Sequence, residues 1–339
     1  MTVRVTWALA VGVMFLTSVV SAQVSADIHK DKIMLLDKPY FTLRLNVRDC
    51  PYTVEMNGAM VNKDKQGQSS TVNIPVNHWM RSGTNELTLS ILTFKGKRPI
   101  STDALCEVNL QVRPDGGTEA QTVTISRLVF SSKMASVGKG IEESSSAGQY
   151  DSKHQFLAGR NGDVTISAAT IGPLPDDDKS KLVRQTISLQ TPFPEWAFFK
   201  SDALPEVDTL ADAEYVRYVE SLVVYYKRIY DALKSKNVDS ILPMFEERNR
   251  ETDQAFYFPA GTTAKKIAKA LKSAANDPDL ELLGGVTEEN LMTRTHDNFK
   301  LIELVRNDGD AIVFNIRGGG SESYPIIFRK QGDKWIITR

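Results

Sequence analysis

Three stretches in the first third of the chain alternate apolar and polar residues with a period of two. Phe41, Leu43, Leu45 and Val47 interleave with Thr42, Arg44 and Asn46. Leu87, Leu89 and Ile91 interleave with Thr88 and Ser90, and Cys106, Val108, Leu110 and Val112 with Glu107, Asn109 and Gln111. Successive side chains on a strand point to opposite faces, so this pattern predicts sheets with one face on a core. Asn57-Gly58 is a tight-turn signal. Many short strands punctuated this way predict an antiparallel β-sandwich over residues 23–204. Strands at residues 123–130, 164–168 and 182–190 are expected to complete it, the alternative being a separate small β-domain over residues 116–200. Residues 131–153 are rich in Ser, Gly, Lys and Glu, which cannot bury a core, and predict a mobile loop. Leu174-Pro175-Asp176-Asp177-Asp178 reads as a further loop, because the alternating ligand pattern of a calcium loop is missing.

The period changes after Leu204-Pro205. Tyr215, Val219, Leu222, Tyr226, Ile229 and Leu233 recur at intervals of three and four, the spacing of one helix face. Thr209 is the expected cap of this helix, with Asp212 three residues on. Helical signals recur from Asp239 or Ser240, with Pro243 in the first turn, and from Thr262 or Thr263. Residues 280–283, 299–306, 311–317, 324–330 and 335–338 then read as strands, joined by turns at Asn307-Asp308-Gly309, Gly318 to Ser321 and Gln331-Gly332-Asp333. Helices followed by an antiparallel meander give an α+β domain over residues 205–339.

Two resemblances accompany these readings. The long helix running into Tyr226-Lys227-Arg228-Ile229-Tyr230-Asp231-Ala232-Leu233, then Asn237-Val238-Asp239 opening a helix, then a meander closing on Lys334-Trp335-Ile336-Ile337, resembles the nuclear transport factor two-like superfamily of cone-shaped α+β folds. That resemblance implies a pocket between the long helix and a curved sheet, and in some members an isomerase or dehydratase using an Asp and a His. Around Asn77 to Leu87, the Gly83-Thr84-Asn85 turn feeding an alternating strand resembles galactose-binding-like jelly-roll domains.

Arg4 followed by the uncharged run Trp7 to Val20 and then Val20-Ser21-Ala22 makes a secretory signal over residues 1–22. Its apolar run of 14 residues is short of the roughly 20 a membrane span needs. No Cys stands at the cleavage point, so the expected product is a free periplasmic or secreted protein with no lipid anchor and no later membrane span. A net charge of −1 leaves no electrostatic footprint for nucleic acid. The two cysteines, Cys50 and Cys106, are expected to pair in an oxidising compartment, closing a loop worth about 4 kcal/mol on the chain-entropy model.

Candidate chemistry is sparse. Four His with no helical spacing to one another or to a Cys give no metal site, and no cofactor fingerprint is present. Gly318-Gly319-Gly320 lacks the Lys-Ser/Thr of a phosphate cradle. Tyr226, Tyr230, His296, Glu303 and Arg317 are the residues a cone pocket would use, against their reading as core and solvent-facing polar positions. Trp79 and Trp196 could stack on a sugar or serve as sandwich core. The chain is therefore expected to be a non-enzymatic binding or interaction protein for a protein, small ligand or carbohydrate. The alternative is a small-molecule enzyme, isomerase-like or hydrolase-like, using the cone.

Overall fold

In a computed structural model of the chain, the described residues are 34–35, 38–93, 100–135, 141–145, 148–150, 155–158, 164–174, 177–306 and 309–339. The expected signal at residues 1–22 lies outside them. The architecture is α+β: antiparallel sheets in a sandwich, then three helices of ten or more residues with further antiparallel strands.

One sandwich sheet runs Ser70–Pro75, Pro39–Arg48, Leu105–Pro114, Val123–Ser131, Ile141–Ser145 in spatial order. Phe41, Leu43, Leu45 and Val47 stand opposite Val112, Leu110, Val108 and Cys106, and all eight are buried. The facing sheet centres on Gly83–Ile91, flanked by Tyr52–Met56 and Asp177–Leu189, with Ala59–Asp64 at its edge. Leu89 lies between Val54 and Val183, and the inward rows of both sheets merge into one core. The period-two rows are thus the inner faces, and the strands after residue 116 complete this sandwich. The Asn57-Gly58 turn forms as expected, with φ of 55° and 68°.

Two expected loops are corrected. Ile141–Ser145 is an edge strand on Val123–Ser131, not part of a mobile loop. Glu142 to Ser145 are exposed, so the strand is held by its backbone ladder and needs no core of its own. Within the same stretch Ser132–Ala135 is a short helical turn and Gly148–Tyr150 a strand on Gln155–Ala158, whereas residues 136–140, 146–147 and 151–153 lie outside the described residues. Asp177 pairs with Leu174 and opens a long strand, so the acidic run is a hairpin edge; residues 175–176 lie outside the description.

Helix α1, Asp212–Lys234, buries Val219, Leu222, Tyr226, Ile229 and Leu233 as its spacing predicted. It starts later than Thr209, whose hydroxyl donates to Glu206 O at 2.7 Å within a 3-10 turn. Two 3-10 turns, the second carrying Pro243 at its start, precede helix α2, Glu246–Ala255. Helix α3, Thr262–Asn276, has no cap from its own Thr262. Buried Asp253 of α2 serves instead, accepting N–H bonds from Gly261 (2.7 Å) and Thr263 (2.8 Å).

The strands after α3 form two sheets rather than one meander. Leu280–Leu282, Ile312–Ile316 and Ser321–Tyr324 make one; Met292–Thr295, Leu301–Arg306, Phe328–Gln331 and Lys334–Ile337 make the other, with Gly309–Asp310 on Leu301–Arg306. The chain changes sheet at Pro325, which has no N–H to continue a ladder. Leu301–Arg306 is buried on both faces. Ile302 and Leu304 join the core under α1, whereas Leu301 joins the sandwich core. The sheet is therefore covered by helix on one side and by the sandwich on the other.

Candidate functional site

The five residues expected to line a cone pocket fall in three separate places. Tyr226 fills the interior. Its ring is buried against Phe328, its hydroxyl donates to Ile326 O, and it accepts the Leu304 N–H at 3.0 Å. Burial pushes this phenol well above its ordinary value. Tyr230 and Arg317 line an outer depression of about 420 Å³, where the mostly exposed Arg317 meets Asp279 at 3.4 Å.

His296 and Glu303 belong to neither. They lie between the two regions, on the sheet face that the sandwich covers. Glu303 is only 3% exposed. Its Oε1 takes Arg294 Nε at 2.7 Å and Nη2 at 2.6 Å, with His296 Nε2 3.3 Å away. That His296 contact is close but off the line of a full hydrogen bond, since Nε2 has no bonded partner. Burial alone would raise the Glu303 carboxyl; the contacts from His296 and Arg294 hold it below the usual range instead. The other imidazole nitrogen, Nδ1, accepts the Met60 N–H at 3.0 Å from the sandwich edge strand. The solvent-facing reading of His296 and Glu303 is thereby corrected: the alternation on Leu301–Arg306 does point Glu303 away from the helix, but that side is not solvent.

Beside Glu303 a cleft of about 510 Å³ opens between the regions. Residues 60–63 and Ile74-Pro75, from the edge strands of the two sandwich sheets, form one wall, and His78 and Trp79 its end. Arg248 and Thr252 of α2, Arg294, Glu303 and Arg339 face them.

The floor of the cleft is tied across both regions. Buried Arg339 donates Nη1 to Glu251 Oε2 and Nη2 to His78 O, each at 2.6 Å. Its guanidinium lies 5.0 Å from the ring centroids of both Trp79 and Phe198. Glu251 Oε1 in turn accepts the Ala197 N–H at 2.8 Å. His78 is pushed well below the ordinary histidine value, first by burial and then by Arg339 and Arg248. Phe256 packs 5.3 Å from His78 and 5.8 Å from Tyr40, and Asn77 Nδ2 donates to Ala255 O at 2.6 Å. Ala255, Phe256, Leu301 and Ile327 all belong to the sandwich core cluster.

Trp79 and Trp196 are buried in this junction, with Trp196 Nε1 donating to Met80 O at 2.7 Å. Neither offers an exposed face for stacking on a sugar. Cys50 and Cys106 are fully buried and stand side by side, both as thiols in this structure. The Cys50 hydrogen bond and burial together push the Cys106 thiol well up. Among the described residues there is no His/Cys/Asp/Glu group able to hold a metal.

Sequence reasoning missed His78, Arg248, Glu251 and Arg339. Arg248 and Glu251 sit in a visible cluster of charges, Glu246-Glu247-Arg248 and Arg250-Glu251, whereas His78 and Arg339 carry no such signal. No family model matches the chain, and neither a curated protein nor a solved structure matches it.

Proposed function

We propose that this chain is a non-enzymatic binding protein whose ligand seats in the cleft between the sandwich and the α+β region. The observation that carries the reading is the contrast between the two candidate hollows. The cone interior is occupied by Tyr226, which uses both hydrogen-bonding capacities of its hydroxyl on the backbone. The cleft is open, with Met60, Val61, Ile74 and Pro75 beside Asn62 and Lys63 on its strand wall, and it is lined by charged groups from both regions, a mix of apolar surface and placed polar groups that suits a small-ligand site between domains. Glu303 and His296 are bound to Arg294 and to the Met60 backbone, which suits a fixed recognition surface better than proton transfer.

The finer assignments belong to the same proposal. The order of helices and strands supports a nuclear transport factor two-like cone from about residue 205, and the Gly83-Thr84-Asn85 turn supports a galactose-binding-like sandwich before it. Residues 1–22 serve as the export signal, mature chain begins at Gln23, and the product works in the periplasm or outside the cell, where oxidation joins Cys50 to Cys106. N-terminal sequencing and free-thiol counting on the exported protein test these points; an intact Met1 in the membrane fraction, or two titratable thiols, overturns them. No described helix is long and apolar enough to cross a membrane.

The test of the binding reading is extraction of small molecules from the purified, denatured full chain followed by mass spectrometry. Thr252→Trp, which places an indole in the cleft, is expected to lose the retained compound. Arg317→Gln, in the outer depression, is expected to keep it. Loss with Arg317→Gln alone, or steady conversion of the compound by the native protein, overturns the reading.

A further inference from the structure

The charges around α2 do not balance. Glu247 binds Arg329 through both oxygens, at 2.7 and 2.6 Å. Glu251, one turn beyond Arg248, is used up by Arg339 and the Ala197 amide. Glu303 is held by Arg294. Three arginines, Arg248, Arg329 and Arg339, thus meet two carboxylates, and Arg248 is the one left over. Its guanidinium makes a single side-chain bond, Nη1 to Asn249 Oδ1 at 3.2 Å, although it carries five N–H donors. Asp310, which also lines the cleft, accepts the Ser323 hydroxyl at 2.6 Å.

A second observation is independent of this count. Arg339 is only 7% exposed, yet among the described residues its Nε has no partner, and neither does Nδ1 of His78 beside it. All three side chains line the cleft; Arg339 holds the His78 carbonyl at 2.6 Å, and both arginines stand close enough to act on the His78 imidazole. A buried donor left unmade costs about 1–3 kcal/mol, more for a charged group. Such atoms are rare in a folded protein and call for an explanation, one of which is a partner that enters from outside.

We propose that the end of the cleft formed by Arg248, Arg339 and His78 receives an oxyanion, the carboxylate or phosphate group of a small ligand. Planar guanidinium groups match both groups in geometry and bind them through paired N–H bonds. The neighbouring Thr252 and the strand wall at Met60 and Val61 would then hold the rest of the molecule. This inference rests on the cleft being the binding site, and it adds the chemistry of what enters.

The experiment uses the full chain and titrates sodium phosphate, sodium sulfate and sodium acetate, at constant ionic strength against chloride, by calorimetry and thermal melting. Saturable binding of at least one is expected, with phosphate and sulfate above acetate if the natural group is tetrahedral and acetate above them if it is a carboxylate. Arg248→Gln is expected to weaken it by about tenfold or more, the loss of one charge-assisted pair. Arg248→Lys, which keeps the charge and loses the fork, is expected to fall between. Arg317→Gln leaves it unchanged and controls for general charge. No saturable binding, binding equal in wild type and Arg248→Gln, or a weak effect shared by Arg317→Gln overturns the inference. If a neutral compound is recovered from the cleft while the anions fail, the binding-site reading stands and this one falls.

Discussion

The α+β region holds one hollow that is filled and borders another that is not. Under α1, Tyr226 sits among Phe328, Ile302 and Leu304, and every polar atom it brings is matched by backbone. At the cleft, among the described residues, Arg248 has no acid partner and Arg339 Nε and His78 Nδ1 have no hydrogen-bond partner. A stable core removes apolar surface from water and leaves no polar group wanting, whereas a recognition site keeps groups in reserve for something that comes and goes. On the proposed reading, the difference separates structural burial from burial in the service of binding.

Removing a charge from the junction should have the largest effect. Glu251→Gln leaves Arg339 buried without its counter-charge, and a loss of about 3–5 kcal/mol is expected in denaturant unfolding. An effect below 1 kcal/mol would mean that the junction is hydrated and the two regions are loosely joined.

In the filled core, Ile229→Ala should cost about 2–5 kcal/mol, the range for a buried large-to-small change. Tyr226→Phe should cost about 1–3 kcal/mol, because the Leu304 N–H and the Ile326 carbonyl are left without their partner. Neither should alter ligand retention, and that immunity sharpens the contrast with Arg248→Gln. Lys227, whose exposed ammonium meets Asp231 at 3.5 Å, should cost less than about 0.5 kcal/mol when replaced.

The junction also carries a pH signature. Glu55 of Tyr52–Met56 is buried, faces Asp297 from the α+β region, and has Arg184 and Glu86 nearby. Burial, then the Asp297 carboxylate, pushes its carboxyl up to about 8 from an ordinary 4.5. Between those values the folded chain keeps a proton that the unfolded chain has released, so stability should fall as pH rises through that window. Melting temperatures of Glu55→Gln should lack this decline and exceed wild type above pH 8. An equal decline in both would assign the pH dependence to other groups.

The sandwich was legible because its signals are local. Period-two rows at Phe41 to Val47 and Cys106 to Val112 need only a covered inner face, and the Asn57-Gly58 turn needs only its own φ angles. The helix face through Tyr226 was legible for the same reason. The cleft was not, because its residues come from positions 60–63, 78, 248–252, 294–303 and 339, and only tertiary packing brings them together. His296 and Glu303 were identified as candidates, but the sheet's second covered face was invisible, since a single polar residue on a strand reads as solvent-facing. Gly58 shows the same limit. Its turn was predicted, yet a Cβ there would also stand 2.7 Å from Asn298 N, a contact with the α+β region that nothing in its neighbours announces.

The most direct measurement is hydrogen–deuterium exchange of the full chain with and without the small-molecule fraction released from the denatured protein. Slower exchange is expected in the segments that border the cleft, Ala59–Asp64, Glu246–Ala255 and Met292–Thr295, with no change in Leu280–Leu282 or the Arg317 turn. Protection confined to Leu280–Leu282 and the Arg317 turn, with the cleft strands unaffected, would contradict the assignment of the binding site to the cleft.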